Sequence, residues 1–145
     1  MNKIKNKILT ICLCVGLLSV SINVMAEVVV IVNKSAKVSS LSVDQVSAIF
    51  LKKSDTFPDG SAAVAIDLPN GDSIRDEFYE KATNKNANQV KSYWAKRIFT
   101  GKGTPNDTQD SEGDVKSWVA SDASHIGYAS AAAVDDSVKV VLRMP

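Results

Sequence analysis

Apolar runs and amphipathic stretches alternate along the chain, and this alternation predicts strands and helices in turn. Residues 28–32 are a continuous run of valine and isoleucine, which is typical of a strand buried on both faces. Further along, Ser42 and Gln45 have the spacing of a capping box, and apolar residues follow them. This pattern predicts a helix that begins after Ser42 and runs to about Leu51.

The next stretch combines a strand, a turn and a helix. Residues 64–66 are a short apolar run that indicates a buried strand. Pro-Asn-Gly at residues 69–71 ends this strand, and Ile74, Phe78 and Ala82 then recur on one helical face. We therefore expect a strand that enters a helix through a glycine turn.

The remaining segments continue the alternation. Helical spacing predicts helices over about residues 87–100 and 114–121, and short apolar runs predict strands over 125–129 and 138–142. Residues 104–113 are polar and rich in turn formers, which indicates a surface loop. Strands that alternate with helices predict a single-domain α/β sandwich with a mostly parallel or mixed sheet.

The first 26 residues have the features of a cleaved secretory signal peptide. Three lysines lie within the first seven residues, residues 8–22 are mainly apolar, and cleavage is expected after Ala26. The apolar run is short for a membrane span, so no span is expected after cleavage. The sequence therefore predicts an exported domain over residues 27–145.

The composition of this domain excludes several kinds of chemistry and partner. Both cysteines, Cys12 and Cys14, lie in the leader, so the domain has no disulfide and no thiolate chemistry. Three of the 17 basic residues and none of the 16 acidic residues lie in the leader, which leaves the domain a formal net charge of −2. Charges of both signs are interspersed, without the concentrated basic face of a nucleic-acid-binding protein, and no nucleic-acid partner is expected.

The turn before the second predicted helix has the composition of an anion site. Backbone N–H groups at a helix start point at one spot, and the helix dipole adds positive potential there. Gly71, Asp72 and Ser73 form this start, and Arg75 adds a guanidinium just inside the helix. The alternative interpretation is structural, with Asp72 or Ser73 as the helix cap and Arg75 on the helix surface.

A second binding segment is expected after the first strand, where Ser35 lies in a polar loop. In open α/β sheets, ligands bind outside the carboxyl ends of the strands. By this rule, the loops at residues 33–37 and 69–75, together with residues 128–130, are the candidate binding edge. The predicted ligand-binding residues are Ser35, Gly71, Asp72, Ser73 and Arg75.

Catalytic and metal-binding patterns are not found in the sequence. His125 is the sole histidine, and neither cysteines nor clustered carboxylates accompany it, so neither a metal site nor a cofactor is predicted. Ser73 or Ser130 with His125 and an aspartate would be a chance trio, because no nucleophile-elbow motif supports it. The domain is therefore not expected to be an enzyme.

Three blocks of the sequence carry a family resemblance: VVVIVNKSAKVSSLSVDQVSAIFLKK, AAVAIDLPNGDSIRDEF and SHIGYASAAAVDDSVKVV. In order and spacing they resemble the phosphate-binding proteins of phosphate ABC transporters. These are two-lobed periplasmic binding proteins of the second structural type, and the resemblance covers one lobe. It implies the fold of such a lobe, a periplasmic location and binding of phosphate or another oxyanion.

The resemblance is incomplete at the turn that grips phosphate. In the family, this turn has a sequence similar to Gly-Ser-Gly-Thr-Arg-Asp-x-Phe. Residues 71–78 of this chain match that pattern in part. Asp72 and Ile74 stand where the family has hydroxyl residues, and the family's upstream phosphate-binding arginine falls on Asp67. A carboxylate at either place repels a phosphate dianion and removes donors, which leaves Ser73 and Arg75 to compensate.

Two functional hypotheses follow from these observations. The first is a small periplasmic solute-binding domain that captures phosphate or another oxyanion at residues 71–75. The second is a non-transport interaction or assembly module of the bacterial envelope that kept the fold and lost the ligand. Its partner would be an envelope protein or a second copy of the chain, because a lone lobe exposes its former interlobe surface.

Overall fold

The computed structural model describes residues 26–145, so the predicted signal peptide lies almost entirely outside the described residues. Within them the chain forms five strands, four α-helices and one short 3₁₀ helix. No helix in this part of the chain is long and apolar enough to cross a membrane. The elements, in chain order, are β1 (Val28–Asn33), α1 (Val43–Phe50), β2 (Val64–Asp67), α2 (Ser73–Thr83), α3 (Ala87–Phe99), β3 (Asp107–Thr108), α4 (Glu112–Ala120), β4 (His125–Ser130), the 3₁₀ helix (Ala131–Ala133) and β5 (Val138–Met144).

The strands form one mixed sheet in the order β3-β2-β4-β1-β5. β2 runs parallel to β3 and β4, whereas β1 is antiparallel to both of its neighbours, β4 and β5. The β-branched run of β1 suits this interior place, because residues 28–32 are completely buried between two covered faces. The predicted α/β domain with a mixed sheet is confirmed.

Helices cover both faces of the sheet. Gly127 on β4 faces α4, and a Cβ at this position would lie 2.7 Å from Val115 Cγ1 and 3.1 Å from Val119 Cγ2. The next residue, Tyr128, points to the other face and stacks on Phe78 of α2 with ring centroids 3.9 Å apart. Glycine therefore allows α4 to pack closely on one face, while α1 and α2 cover the opposite face.

An aromatic cluster fills the space between α1, α2 and the sheet. Phe50 lies edge-on to Phe78 and Tyr128, with ring centroids 4.6 and 5.6 Å apart, and Tyr79 lies edge-on to Phe78 at 5.2 Å. All four side chains are buried, and such edge-on pairs add stability to the area they bury. The cluster fixes α2 against β4 and so sets the position of the α2 N-terminus.

The segment before α4 is mostly exposed, as predicted for a surface loop, and differs from that prediction at Asn106 and β3. β3 pairs with β2 at the sheet edge, and Asn106, just before β3, is buried. Asn106 Nδ2 donates a hydrogen bond to Phe50 O at 2.8 Å, which ties the segment to the end of α1. Composition alone misses this, because the side-chain amide Nδ2 of this polar residue finds its hydrogen-bond acceptor inside the protein. α4 also begins at Glu112, two residues earlier than the sequence predicts.

Candidate functional site

A tight turn joins the end of β2 to the start of α2. Asp72 N–H donates to Pro69 O at 3.1 Å, which closes this turn. Gly71 within it has φ +88°, a backbone conformation that residues with a Cβ disfavour. The predicted strand, glycine turn and helix are therefore confirmed, and they place the N-terminus of α2 beside the end of β2.

Asp72 is the N-cap of α2. Its Oδ1 accepts hydrogen bonds from Ile74 N at 2.8 Å and from Arg75 N at 3.2 Å. These N–H groups are among the donors that an external anion at the helix start would need. The capping interpretation therefore describes Asp72, and a carboxylate of the chain itself lies at the positive end of the helix dipole.

Replacing Asp72 with alanine is expected to lower the free energy of unfolding by about 1 kcal/mol, because two helical N–H groups lose their acceptor. Urea unfolding followed by tryptophan fluorescence measures this loss. Ser73→Ala is the matched control, since Ser73 is the exposed next residue and its truncation should leave stability unchanged. Equal stability of the Asp72→Ala variant and the wild type would contradict the capping role.

Asp67, at the end of β2, is the centre of a buried polar network. Its carboxylate accepts hydrogen bonds from Tyr79 Oη and Tyr128 Oη, both at 2.6 Å, and Asn106 Nδ2 is a further donor at 3.4 Å. Burial raises the pKa of Asp67, and the tyrosine hydroxyls and the charge of Arg75 act against this rise. The network joins β2, α2, β4 and the segment before β3 at one point.

Arg75 lies beside this network and is 7% exposed, so it does not lie on the helix surface. Its Nε is 3.8 Å from Asp67 Oδ1, an ion-pair distance that is too long for a hydrogen bond. The guanidinium carbon is also 5.0 Å from the ring centroid of Tyr79, which is a cation–π distance. Within residues 26–145, Arg75 Nε has no hydrogen-bond partner. The network thus positions Arg75 and leaves one of its donors unused.

A cavity of about 470 Å³ lies against Arg75, between the N-terminal end of α2, helix α3 and the segment before β3; we refer to it as the α2–α3 cavity. In the described part of the chain, five buried side-chain atoms lack a hydrogen-bond partner, and four of them belong to residues that line this cavity. Buried polar groups in native proteins are nearly always bonded, so their concentration here marks a candidate binding site. The four atoms are Arg75 Nε, Asp76 Oδ1, Trp94 Nε1 and Asn106 Oδ1.

A second cavity, of about 400 Å³, adjoins Asn106 and is lined in part by Lys52, Lys53 and Asp55. It shares Asn106 with the α2–α3 cavity, but none of the other unpartnered atoms belongs to its lining residues. Its lysines are exposed at a helix end, where such side chains are ordinarily solvated. The α2–α3 cavity is therefore the better candidate for a binding site.

The predicted ligand-binding residues are only partly brought together. Gly71 and Arg75 line the α2–α3 cavity, whereas Asp72 and Ser73 of the same turn do not. Ser35 lies at the opposite end of the sheet, because β1 is antiparallel to β4 and β4 is parallel to β2. The expected common binding edge is therefore wrong for Ser35, since the rule about carboxyl ends holds for strands that run in the same direction.

Sequence reasoning does not identify three residues that line the cavity, namely Lys91, Trp94 and Asn106. Trp94 follows the apolar spacing of α3 and is buried, yet it also contributes to the cavity wall. Lys91 precedes Trp94 by three residues, a spacing that places both on one side of a helix and is the available signal for Lys91. No local signal distinguishes Asn106 from the other polar residues of its segment.

Within the described residues, His125 does not meet the serines of the trio considered from the sequence, and the serine beside its Nδ1 is Ser121, with Oγ at 3.4 Å. Its ring stacks on Trp118 with centroids 3.4 Å apart, and its Nδ1 lies 2.7 Å from Trp118 O. His125 begins β4 and Ser130 ends it, so these two residues lie at opposite ends of one strand. Across residues 26–145, no three or more His, Cys, Asp or Glu side chains form a group that could hold a metal ion.

The architecture is that of one lobe of a periplasmic binding protein, a mixed sheet with helices on both faces. The chain matches a protein described as a phosphate ABC transporter substrate-binding protein of Clostridium perfringens, solved with bound phosphate, at a TM-score of 0.64 and 24% identity. It also matches an ABC-type phosphate transport receptor of Vibrio cholerae (TM-score 0.61, 15% identity) and PstS of Borrelia burgdorferi (TM-score 0.60, 10% identity).

These matches extend over one lobe of the larger proteins. Each covers 80% of this chain but only 45–47% of the other protein, so the matched part is less than half of their length. At identities of 10–24%, what is shared is the fold, and at this level the resemblance stated from the sequence is confirmed. No protein-family model and no curated protein sequence matches the chain.

Proposed function

We propose that the chain is an exported solute-binding domain that binds phosphate or a related oxyanion in the α2–α3 cavity. The observation that carries this proposal is the concentration of unpartnered buried polar atoms around Arg75. The fold supports it, because one of the solved proteins with this fold contains bound phosphate. The predicted signal peptide over residues 1–26 supports a periplasmic location. The proposed role of the domain is to bind a solute, without catalysis.

Two cationic side chains on the cavity wall supply the attraction for an anion. Arg75 is buried, where solvent screens its charge less than at the surface, and Lys91 lines the cavity from α3. Asp67 and Asp76 line the cavity as well, which lowers its net charge. The Asp67 oxygens already accept hydrogen bonds from two tyrosine hydroxyls at 2.6 Å. An anion can therefore take up the donors of Arg75 without leaving the Asp67 carboxylate unsatisfied.

Calorimetric titration with phosphate, sulfate and acetate tests this proposal. The protein is produced with its own leader and recovered from the periplasm of a bacterial host, where its N-terminal residue is expected to be Glu27. We expect at least one of these anions to bind, with an affinity that falls as the salt concentration rises. Failure of all three to bind at millimolar concentration would contradict the proposal.

Arg75→Lys and Lys91→Gln are both expected to weaken anion binding. Arg75→Lys keeps a charge beside Asp67 but loses the planar donor fork, so a loss of about tenfold is expected. Lys91→Gln removes an exposed charge, for which about two- to fivefold is expected. Lys96→Gln is the matched control, because Lys96 is exposed on the same helix and does not line the cavity. Affinities unchanged by both Arg75→Lys and Lys91→Gln would contradict this location of the site.

A further inference from the structure

The α2–α3 cavity is larger than an inorganic anion needs. Its volume of about 470 Å³ lies within the range of pockets for small organic ligands, roughly 300–1,000 Å³. A water molecule accounts for about 30 Å³ of liquid volume, and a phosphate ion is only a few times larger. A phosphate ion alone would therefore leave most of the cavity filled with water.

One wall of the cavity is apolar. Trp94, Ala95 and Ile98 line it from α3, and Pro105 lines it from the segment before β3. Ile98 is 55% exposed, so it presents apolar surface that a bound apolar group would remove from water. Removal of such surface from water favours binding in proportion to its area. The shape of the cavity therefore suits a ligand with an apolar part as well as an anionic part.

Residues that line the cavity carry buried, unpartnered polar atoms of both kinds. Arg75 Nε and Trp94 Nε1 are donors, whereas Asn106 Oδ1 and Asp76 Oδ1 are acceptors. Arg75, Trp94 and Asn106 are each more than nine-tenths buried. Sulfate offers only acceptors, so it would leave Asn106 and Asp76 without a partner, whereas phosphate near neutral pH keeps one or two P–OH donors. A ligand that satisfies both kinds must carry an acid group and a hydrogen-bond donor.

We propose that the ligand is a small organic acid with an apolar side chain and a hydrogen-bond donor next to its acid group, as in α-amino and α-hydroxy acids. In this arrangement the acid group binds at Arg75, the donor faces Asn106, and the apolar chain packs against Trp94 and Ile98. The inference rests on the proposed function, because it assigns a ligand class to the same cavity.

Calorimetric titration with four probes separates the parts of this ligand: phosphate, acetate, 4-methylpentanoate and L-leucine. Acetate and 4-methylpentanoate share a carboxylate and differ in the apolar chain, and L-leucine adds an amino group to 4-methylpentanoate. We expect the affinity to rise by at least about tenfold with the chain and by about fivefold with the donor. The 2-hydroxy analogue of L-leucine then distinguishes a hydroxyl donor from an ammonium donor.

Ile98→Ser tests the apolar wall, and Phe99→Ser is its matched control. Both residues are exposed at the end of α3, Phe99 by 92%, but only Ile98 lines the cavity. We expect Ile98→Ser to lower the affinity for 4-methylpentanoate by about fivefold and to leave that for acetate unchanged. Phe99→Ser should change neither affinity. Because both positions are exposed, neither substitution should prevent folding.

The outcomes separate the ligand class from the anion-binding function. Phosphate binding that is tighter than that of every organic probe, or equal affinities for the three carboxylates, would overturn the ligand class and leave anion binding standing. An equal effect of Ile98→Ser and Phe99→Ser would also overturn the ligand class. If neither sulfate nor any of the four probes binds to the wild-type protein, the proposed function fails together with it.

Discussion

Replacing Asp67 with alanine is expected to lower the free energy of unfolding by about 3–5 kcal/mol. The substitution removes the acceptor that Tyr79 Oη and Tyr128 Oη each contact at 2.6 Å. It also leaves the buried guanidinium of Arg75 without the counter-charge at 3.8 Å. Unsatisfied buried donors and unpaired buried charges are among the costliest single defects in a folded protein. Urea unfolding followed by circular dichroism measures the change.

Two further variants test whether this loss of stability is specific to the Asp67 carboxylate. Asp67→Asn keeps an acceptor for one tyrosine hydroxyl, so we expect it to cost less stability than alanine. Asp135→Ala is the surface control, because its carboxylate lies 2.8 Å from Lys116 Nζ on a side chain that is 57% exposed, and no measurable loss is expected there. If Asp67→Ala were as well tolerated as Asp135→Ala, the network would not hold the fold together.

The helices and strands could be predicted because their signals are local. The capping box forms as its spacing predicts, with Ser42 N–H donating to Gln45 Oε1 at 2.9 Å, and residues 28–32 form a buried strand. The directions of the strands could not be predicted, because β1 pairs with β4 and β5 from the far end of the chain. Only these long-range pairs show that Ser35 and Gly71 lie at opposite ends of the sheet.

Of the candidate site, only the turn between β2 and α2 could be predicted from the sequence. Spacing places Arg75 early in α2, but it does not tell which side of the helix is buried or which residue balances its charge. That residue is Asp67, and it can be buried because α2 and β4 contribute one tyrosine hydroxyl each. The α2–α3 cavity itself depends on the packing of α3, which no local pattern encodes.

Stability and binding are coupled in this arrangement because the network and the cavity share Asp67, Arg75 and Asn106. A ligand that binds only the folded state raises the free energy of unfolding. Once the ligand concentration exceeds Kd, this increase grows with the logarithm of the concentration. A ligand of the α2–α3 cavity is therefore expected to stabilise the same contacts that Asp67 organises. Thermal shift in the presence of each probe gives an independent measure of the affinities proposed above.

Alkaline pH is expected to unfold the protein through this network. The pKa values of Tyr79 and Tyr128 both lie well above 10, first because burial disfavours a phenolate and second because the Asp67 carboxylate is adjacent. In the unfolded chain the same phenols ionise near pH 10. Above that pH the folded state retains two protons that the unfolded state loses. The stabilisation is thus complete below about pH 10 and declines as the pH rises, by up to about 2.7 kcal/mol per pH unit for two groups.

Phenolate absorbance and far-ultraviolet circular dichroism, recorded in one alkaline titration, measure this effect. A Tyr93→Phe variant removes the third tyrosine of the chain, so the whole phenolate signal then comes from Tyr79 and Tyr128. Since both hydroxyls donate to Asp67, neither phenol can ionise without an opening of the network. We therefore expect phenolate absorbance to appear in the same step in which helical ellipticity is lost. Gradual ionisation near pH 10 with the ellipticity intact would contradict a network that holds both phenols neutral.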